Sequence, residues 1–178
     1  MDEHMVWIDL EMTGLDIESC SIIEIATVIT DGDLNIIATG PNLAIKTSEE
    51  DLAAMDEWNT THHNASGLVA RIRKSEYSIA DAEVETLEFI RKYVAEGKAP
   101  LCGNSIWCDR KFIDSQMPEL AAYLHYRMVD VSSFKEMAKR WYPSLPRYEK
   151  KGAHLALDDI LESIEELRYF RENIFIQD

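Results

Sequence analysis

The sequence predicts an α/β domain on a mixed, five-stranded sheet flanked by helices, and three observations carry that expectation. Between Val6 and Ile45 the chain runs in β-rich stretches with short connections, as in an antiparallel meander. Beyond Ser48 the period changes to that of amphipathic helices. Two short apolar runs, Pro100–Ile106 and Tyr126–Val131, then return between helical segments, the pattern of strands joined by right-handed crossovers.

Taken in order, Val6–Met12 alternates apolar and polar residues, and Ser21–Thr30 is a second β-rich run. Asp31-Gly32-Asp33 signals a turn, and Leu34–Ile45 supplies a third strand. Ser48 with Asp51 three residues on reads as a helix start. Leu68–Lys74 and Ala80–Val94 follow as helices, the latter presenting Val84, Leu87, Ile90 and Val94 on one face. A helix is expected from about Asp109 and another after Val131 as far as Trp141. Pro143 and Pro146 then open a loop carrying Arg147, Lys150 and Lys151. A last helix, from near Leu155 to Phe170, spaces Ile160, Ile164 and Leu167 for burial.

The 178 residues contain no repeat or linker-like tract, so a single domain spanning 1–178 is expected. No stretch is long and apolar enough to cross a bilayer, and Met1-Asp2-Glu3-His4 is acidic where a secretory signal would be basic, so a cytoplasmic protein is expected. Cys20, Cys102 and Cys108 are scattered and read as reduced thiols. With 33 acidic against 18 basic residues the net charge is −15, which disfavours a role in gripping long nucleic acid through a basic track. It suits divalent cations and very short anionic substrates.

Asp9 and Glu11 lie two apart on the first predicted strand and so share a face, flanked by Val6, Trp7, Ile8, Leu10 and Met12. A carboxylate pair on a core strand is costly unless a hard cation such as Mg²⁺ or Mn²⁺ bridges it. In so acidic a chain chance alone supplies roughly six such pairs, so the spacing is weak evidence by itself. Asp109, after a short strand, also reads as a helix cap, and Asp159 as a first-turn acid. Together these carboxylates suit a centre for two divalent ions cleaving a phosphodiester, with His154 as general base. Helical spacing pairs His154 with Asp158 as readily as with Asp159.

The motifs are more specific as a set. Trp7-Ile8-Asp9-Leu10-Glu11-Met12-Thr13-Gly14-Leu15-Asp16, Gly103–Ile106 leading to Asp109–Phe112, and His154–Ile160 resemble, in order, the three motifs of the DEDDh exonucleases in their oligoribonuclease form. Met55–Asn59, His125–Arg127 and Asp130–Ser132 resemble further segments of that family. The resemblance selects Asp159 over Asp158. It implies an RNase H-like exonuclease fold and two divalent ions, Mg²⁺ or Mn²⁺, held by Asp9, Glu11, Asp109 and Asp159. It implies a homodimer that removes nucleotides from the 3′ end of short RNAs down to dinucleotides. Leu15 would wedge between two bases, Trp58 and His63 would line the substrate site, and Tyr126 would reach the partner subunit's site. Arg127, Ser132 and Ser133 match the region that caps a 5′ phosphate.

Trp107-Cys108 departs from the family pattern, where smaller or amide-bearing residues are expected beside the aspartate. Two other readings remain open on sequence alone. One is a DEDDh exonuclease acting on longer RNA or DNA ends, which would want a basic approach path. The other is a non-catalytic nucleotide-binding protein on the same fold, which would have no use for metal-ready carboxylates.

Overall fold

The computed structural model describes residues 3–149 and 155–175. Strands β1 (Met5–Met12), β2 (Ile22–Thr30) and β3 (Ile36–Ala44) form the antiparallel meander, with Asp9 opposite Ala26 and Glu11 opposite Glu24. On the other side of β1 lies β4 (Leu101–Gly103), parallel to it with Val6 opposite Leu101, and β5 (Met128–Asp130) runs parallel to β4. The sheet is therefore mixed and five-stranded, in the order β3-β2-β1-β4-β5.

The crossover from β3 to β4 holds α1 (Glu49–Ala53), α2 (Glu57–Ala65), α3 (Leu68–Lys74) and α4 (Ile79–Arg91). Between β4 and β5 run α5 (Trp107–Gln116) and α6 (Pro118–Tyr123), and after β5 come α7 (Val131–Trp141) and α8 (Ala156–Ile174). The period-two alternation of β1 sorts its side chains. Val6, Ile8, Leu10 and Met12 pack with Leu87, Ile90, Phe112, Ile113 and Leu120, under α4 to α6. Trp7 points the opposite way, into Ala26, Val28, Cys102, Ile160, Ile164 and Leu167, under α7 and α8. Its indole Nε1–H donates to Thr30 Oγ1 at 3.0 Å, so the polar edge of a fully buried ring is satisfied. Asp9 and Glu11 share the Trp7 face, towards α8.

The elements differ from expectation in ways the packing explains. In α4, Val84 is exposed; the buried face runs through Ala82, Glu83, Thr86, Leu87 and Ile90, and Val94 is buried just past the helix end. The fourth strand stops at Gly103, shorter than Pro100–Ile106, and the fifth covers three residues of Tyr126–Val131. A Cβ on Gly103 would lie 2.8 Å from Ile106 Cδ1 and 3.2 Å from Ile8 O, so the chain turns off the sheet here only because no side chain intervenes. Ser105 then adopts φ +51° and α5 begins at Trp107, which puts Asp109 at the third helical position instead of the cap. Two helices carry little sequence signal. The polar α2 is started by Asp56, whose side chain accepts from Asn59 N at 2.8 Å, and the short α6 by Pro118. No helix among the described residues is long and apolar enough to cross a membrane.

Candidate active site

The carboxylates collect where β1 ends beneath the first turn of α8. Asp9, Glu11 and Asp159 each offer an oxygen, and these atoms lie within 4.8 Å of one another. Asp158, its neighbour in sequence, is not part of this group, so the structure separates two aspartates that helical spacing leaves equivalent. Asp159 N–H donates to Leu155 O at 3.0 Å, which fixes it on the first turn of α8. Asp109 stands beside this trio. Its Oδ1 accepts from Leu10 N at 3.0 Å, between the two β1 acids, and the residue is buried. His154 lies outside the described residues.

Crowding of this kind shows in the ionisation of the acids. Glu11 is pushed up to about 8 from 4.5, first by burial and then by the negative charges of Glu24, Asp159 and Asp109. Burial also raises Asp109, against the lowering effect of the Leu10 amide. These groups hold their charge poorly without a cation. Oxygen-only donors of this density are the coordination sphere that Mg²⁺ and Mn²⁺ take, so the residues fit a divalent centre.

Glu24 is the functional candidate that reading the sequence missed. It sits opposite Glu11 on the same face of the sheet, fully buried, and its Oε1 pairs with Arg71 on α3. Its Oε2 has no hydrogen-bond partner among the described residues. The available signal was a charged residue interrupting the apolar run Ile22–Ile29.

His63 is 2% exposed and joins α2 to the end of β1, with Nε2 3.1 Å from Met12 O. A carbonyl accepts only, so Nε2 carries the proton and Nδ1, 4.0 Å from Glu11 Oε2, presents its lone pair to the acid. Burial lowers the pKa of His63, which favours this neutral form. Trp58 lies on the same short helix, exposed and stacked on His62 with centroids 3.9 Å apart. Leu15, three residues past Met12, is 76% exposed. The structure thus gathers His63 against the carboxylates and leaves Leu15 and Trp58 as apolar surface on the segments beside them.

Expected phosphate-binding residues divide between the two ends of β5. Ser132, at the start of α7, lies against the turn after β4: Ser105 N donates to its Oγ at 3.0 Å and to Asp130 Oδ1 at 2.9 Å. Ser133 is exposed beside it. Tyr126 and Arg127 precede β5. Because Met128 aligns with Leu101 and Leu101 with Val6, Arg127 is level with Met5, four residues from Asp9 and two strands away. That is about 13 Å along the sheet and 10 Å across it. Tyr126 is 74% exposed, stacked on His125, with the Arg127 guanidinium 5.4 Å from its ring centre. Within one subunit the structure does not bring this pair to the carboxylates. Trp107 points to solvent under a Lys111 ammonium 4.6 Å from its ring, and Cys108 is half-buried, its thiol raised first by burial and then by Asp109.

Comparison with known proteins agrees with this arrangement. The profile of the RNase T family, described as exonuclease, matches residues 6–167. The chain is 56% identical over 176 residues to the oligoribonuclease of Hydrogenovibrio crunogenus, covering 98% of this chain and 96% of that one. It is 55% identical over 175 residues to the oligoribonuclease of Vibrio cholerae, covering 98% and 97%. Among solved structures, Escherichia coli exonuclease I in complex with a dA16 oligonucleotide superposes over 97% of this chain with a TM-score of 0.72 at 13% identity. This chain spans 41% of that larger protein, and at such identity the likeness speaks for the fold, which is RNase H-like.

Proposed function

The chain belongs to the oligoribonuclease family of exonucleases, and on that premise we propose that it hydrolyses short RNA oligomers from the 3′ end, dinucleotides included, to mononucleotides. The observation that carries this reading is the half-buried group of Asp9, Glu11 and Asp159, with the buried Asp109 bonded to the same strand. These four side chains would hold two divalent ions, Mg²⁺ or Mn²⁺, which supply an activated water and neutralise the departing 3′ oxygen. His154 would take the proton from that water. His63, fixed on Met12 O, ties α2 to the end of β1 beside Glu11. Leu15 and Trp58 offer the flat apolar contacts that bases of any sequence accept. Ser132 and Ser133, at the start of α7, would lie against a terminal phosphate, with the exposed Ser133 hydroxyl as the donor. Tyr126 and Arg127, at the far end of β5, would serve the site of a second copy in a homodimer.

A short substrate reconciles the chemistry with a net charge of −15, because two or three nucleotides present few phosphates. The test is a series of 5′-labelled RNAs from dinucleotide to about twenty-mer, digested in Mn²⁺ with and without chelator. The dinucleotide is expected to disappear fastest, and chelation or Asp109→Ala to abolish turnover while the fold stays near intact. Processive digestion of the long RNA with the dinucleotide left over would assign the chain to longer 3′ ends instead.

A further inference from the structure

Leu15 stands out from the surface on a loop that one side chain of α5 ties down. Residues 13–21 join β1 to β2, and Leu15 is exposed near their start. An exposed side chain takes no fixed position from packing, so its aim depends on the backbone beneath it. That backbone is closed at its neck, where Thr13 N donates to Ser21 O at 3.0 Å and Ser21 N donates to Thr13 Oγ1 at 3.0 Å. Asp16 gathers the turn inside. Its backbone oxygen accepts from Ser19 N at 3.2 Å and Cys20 N at 2.8 Å, and its carboxylate accepts from Glu18 N at 3.1 Å and Ser19 Oγ at 2.7 Å. A Cβ on Gly14 would lie 2.7 Å from Cys20 Sγ, so the two sides of the loop meet beside Leu15 only because Gly14 has no side chain.

Gln116, the last residue of α5, anchors this closed loop to the body of the protein. Its Oε1 accepts from Ile22 N at 3.0 Å and its Nε2 donates to Cys20 O at 2.9 Å. The amide thus pairs with the backbone on either side of Ser21 as a neighbouring strand would, close to the register shift between Glu11 and Met12. Only one orientation satisfies both bonds, since the reverse sets donor against donor and acceptor against acceptor. Gln116 also lies two helical turns from Asp109 on the same face of α5, with Phe112 and Ile113 buried between them. One end of that face meets Leu10 N through Asp109, and the other meets the loop about 10 Å further along the axis. A packed helix therefore fixes the Leu15 loop relative to the carboxylate group.

We propose that Gln116 is a positioning residue for substrate: by pinning residues 13–21 to α5 it holds Leu15 pre-set for the two bases of a dinucleotide, and so lowers KM without taking part in hydrolysis. This rests on the function proposed above and on Leu15 as the base contact. Gln116 lies outside the segments that resemble the exonuclease motifs, so its role comes from where α5 ends and not from any motif. Without the amide the loop takes several settings, of which only some present Leu15 to the bases. Apparent affinity then falls by the fraction that stays competent, whereas the chemical step on a seated substrate is untouched.

The experiment is a double-mutant cycle on an RNA dinucleotide in Mn²⁺, with kcat and KM measured for wild type, Gln116→Met, Leu15→Ala and the pair. Methionine keeps the length of the side chain and removes both hydrogen bonds. Gln116→Met is expected to raise KM about tenfold with kcat held within about twofold, and Leu15→Ala to do the same. The pair should be no worse than Leu15→Ala alone, because a loop without its leucine has nothing left to aim. Should Gln116→Met fail to fold, Thr13→Val, which removes the acceptor of Ser21 N, takes its place in the cycle with the same expectation. Losses that multiply in the double variant, or a fall in kcat with KM kept, would overturn the positioning role and leave the proposed function standing. A Leu15→Ala variant that behaves as wild type would remove this inference while dinucleotide hydrolysis persists. A wild type that does not cleave the dinucleotide would remove the proposed function as well.

Discussion

Glu11 stands at the centre of the electrostatics, with Glu24 across the strand, Asp159 above, Asp109 beside it and the neutral face of His63 at 4.0 Å. Its carboxyl is protonated in both folded and unfolded chains below about pH 4.5, and the folded chain keeps that proton until about pH 8. Between those values only the unfolded chain ionises, so this group's contribution to stability is present at low pH and is lost as pH rises. Chelator-treated protein is therefore expected to melt at lower temperature at pH 8 than at pH 6, and Glu11→Gln to flatten that slope. Added Mn²⁺ should raise the melting temperature more at pH 8, because binding the ion displaces the proton. A slope of the opposite sign in thermal melts would show that Glu11 is ionised without a cation. Asp9 and Glu11 were legible in the sequence because a strand's period of two is rigid. Glu24 was not, because which residue faces Glu11 depends on hairpin register, which no local pattern reveals.

At the scale of elements, the small helices are pinned to the sheet by single polar contacts more than by apolar area. Helix α3 buries Leu68, Val69 and Ile72 against Ile23 and Ala44, and sends Arg71 to Glu24 and Asn42. Arg71→Ala leaves a fully buried carboxylate without its cation, for which about 3 kcal/mol of destabilisation is expected. Glu24→Gln made in addition should recover much of that loss, a result urea titration of the two variants would check. If Arg71→Ala proves neutral, the pair with Glu24 contributes nothing to stability. The strongly periodic elements, β1, α3 and α8, could be placed from sequence because their buried faces repeat. Helix α2 could not, since it is polar around most of its circumference and is held by Asp56, by His63 on Met12 O and by its contact with α3. The face of α4 was misplaced at Val84 because Glu83 and Thr86 are buried where only apolar residues were counted. Glu83 Oε1 accepts from Leu120 N at 3.0 Å, a tertiary contact that hydrophobic periodicity does not register.

For the whole molecule, the separation of Tyr126 and Arg127 from the carboxylates turns a sequence resemblance into a statement about assembly. Residues 126 and 132 are close in sequence, but β5 runs between them, so they lie at opposite ends of a short edge strand. Leu15, Trp58, Trp107, Tyr126 and Trp141 are large apolar side chains left exposed, the kind of surface that an interface covers. A two-fold assembly would cover part of it and carry Tyr126 of one subunit to the other's site. Such an arrangement has a genetic signature. On the proposed reading, Asp109→Ala would remove a metal ligand from its own site, whereas Tyr126→Ala would remove a contact from its partner's. Each variant alone should be nearly inactive on dinucleotides. Co-expressed at equal levels, half of the dimers pair one of each, and in those the Tyr126→Ala subunit keeps its carboxylates and receives an intact Tyr126. Activity should then return to about a quarter of wild type, one working site in every second dimer. No recovery, with mixed dimers demonstrated by differential tagging, would mean that Tyr126 acts within its own subunit, against the distance that β5 imposes.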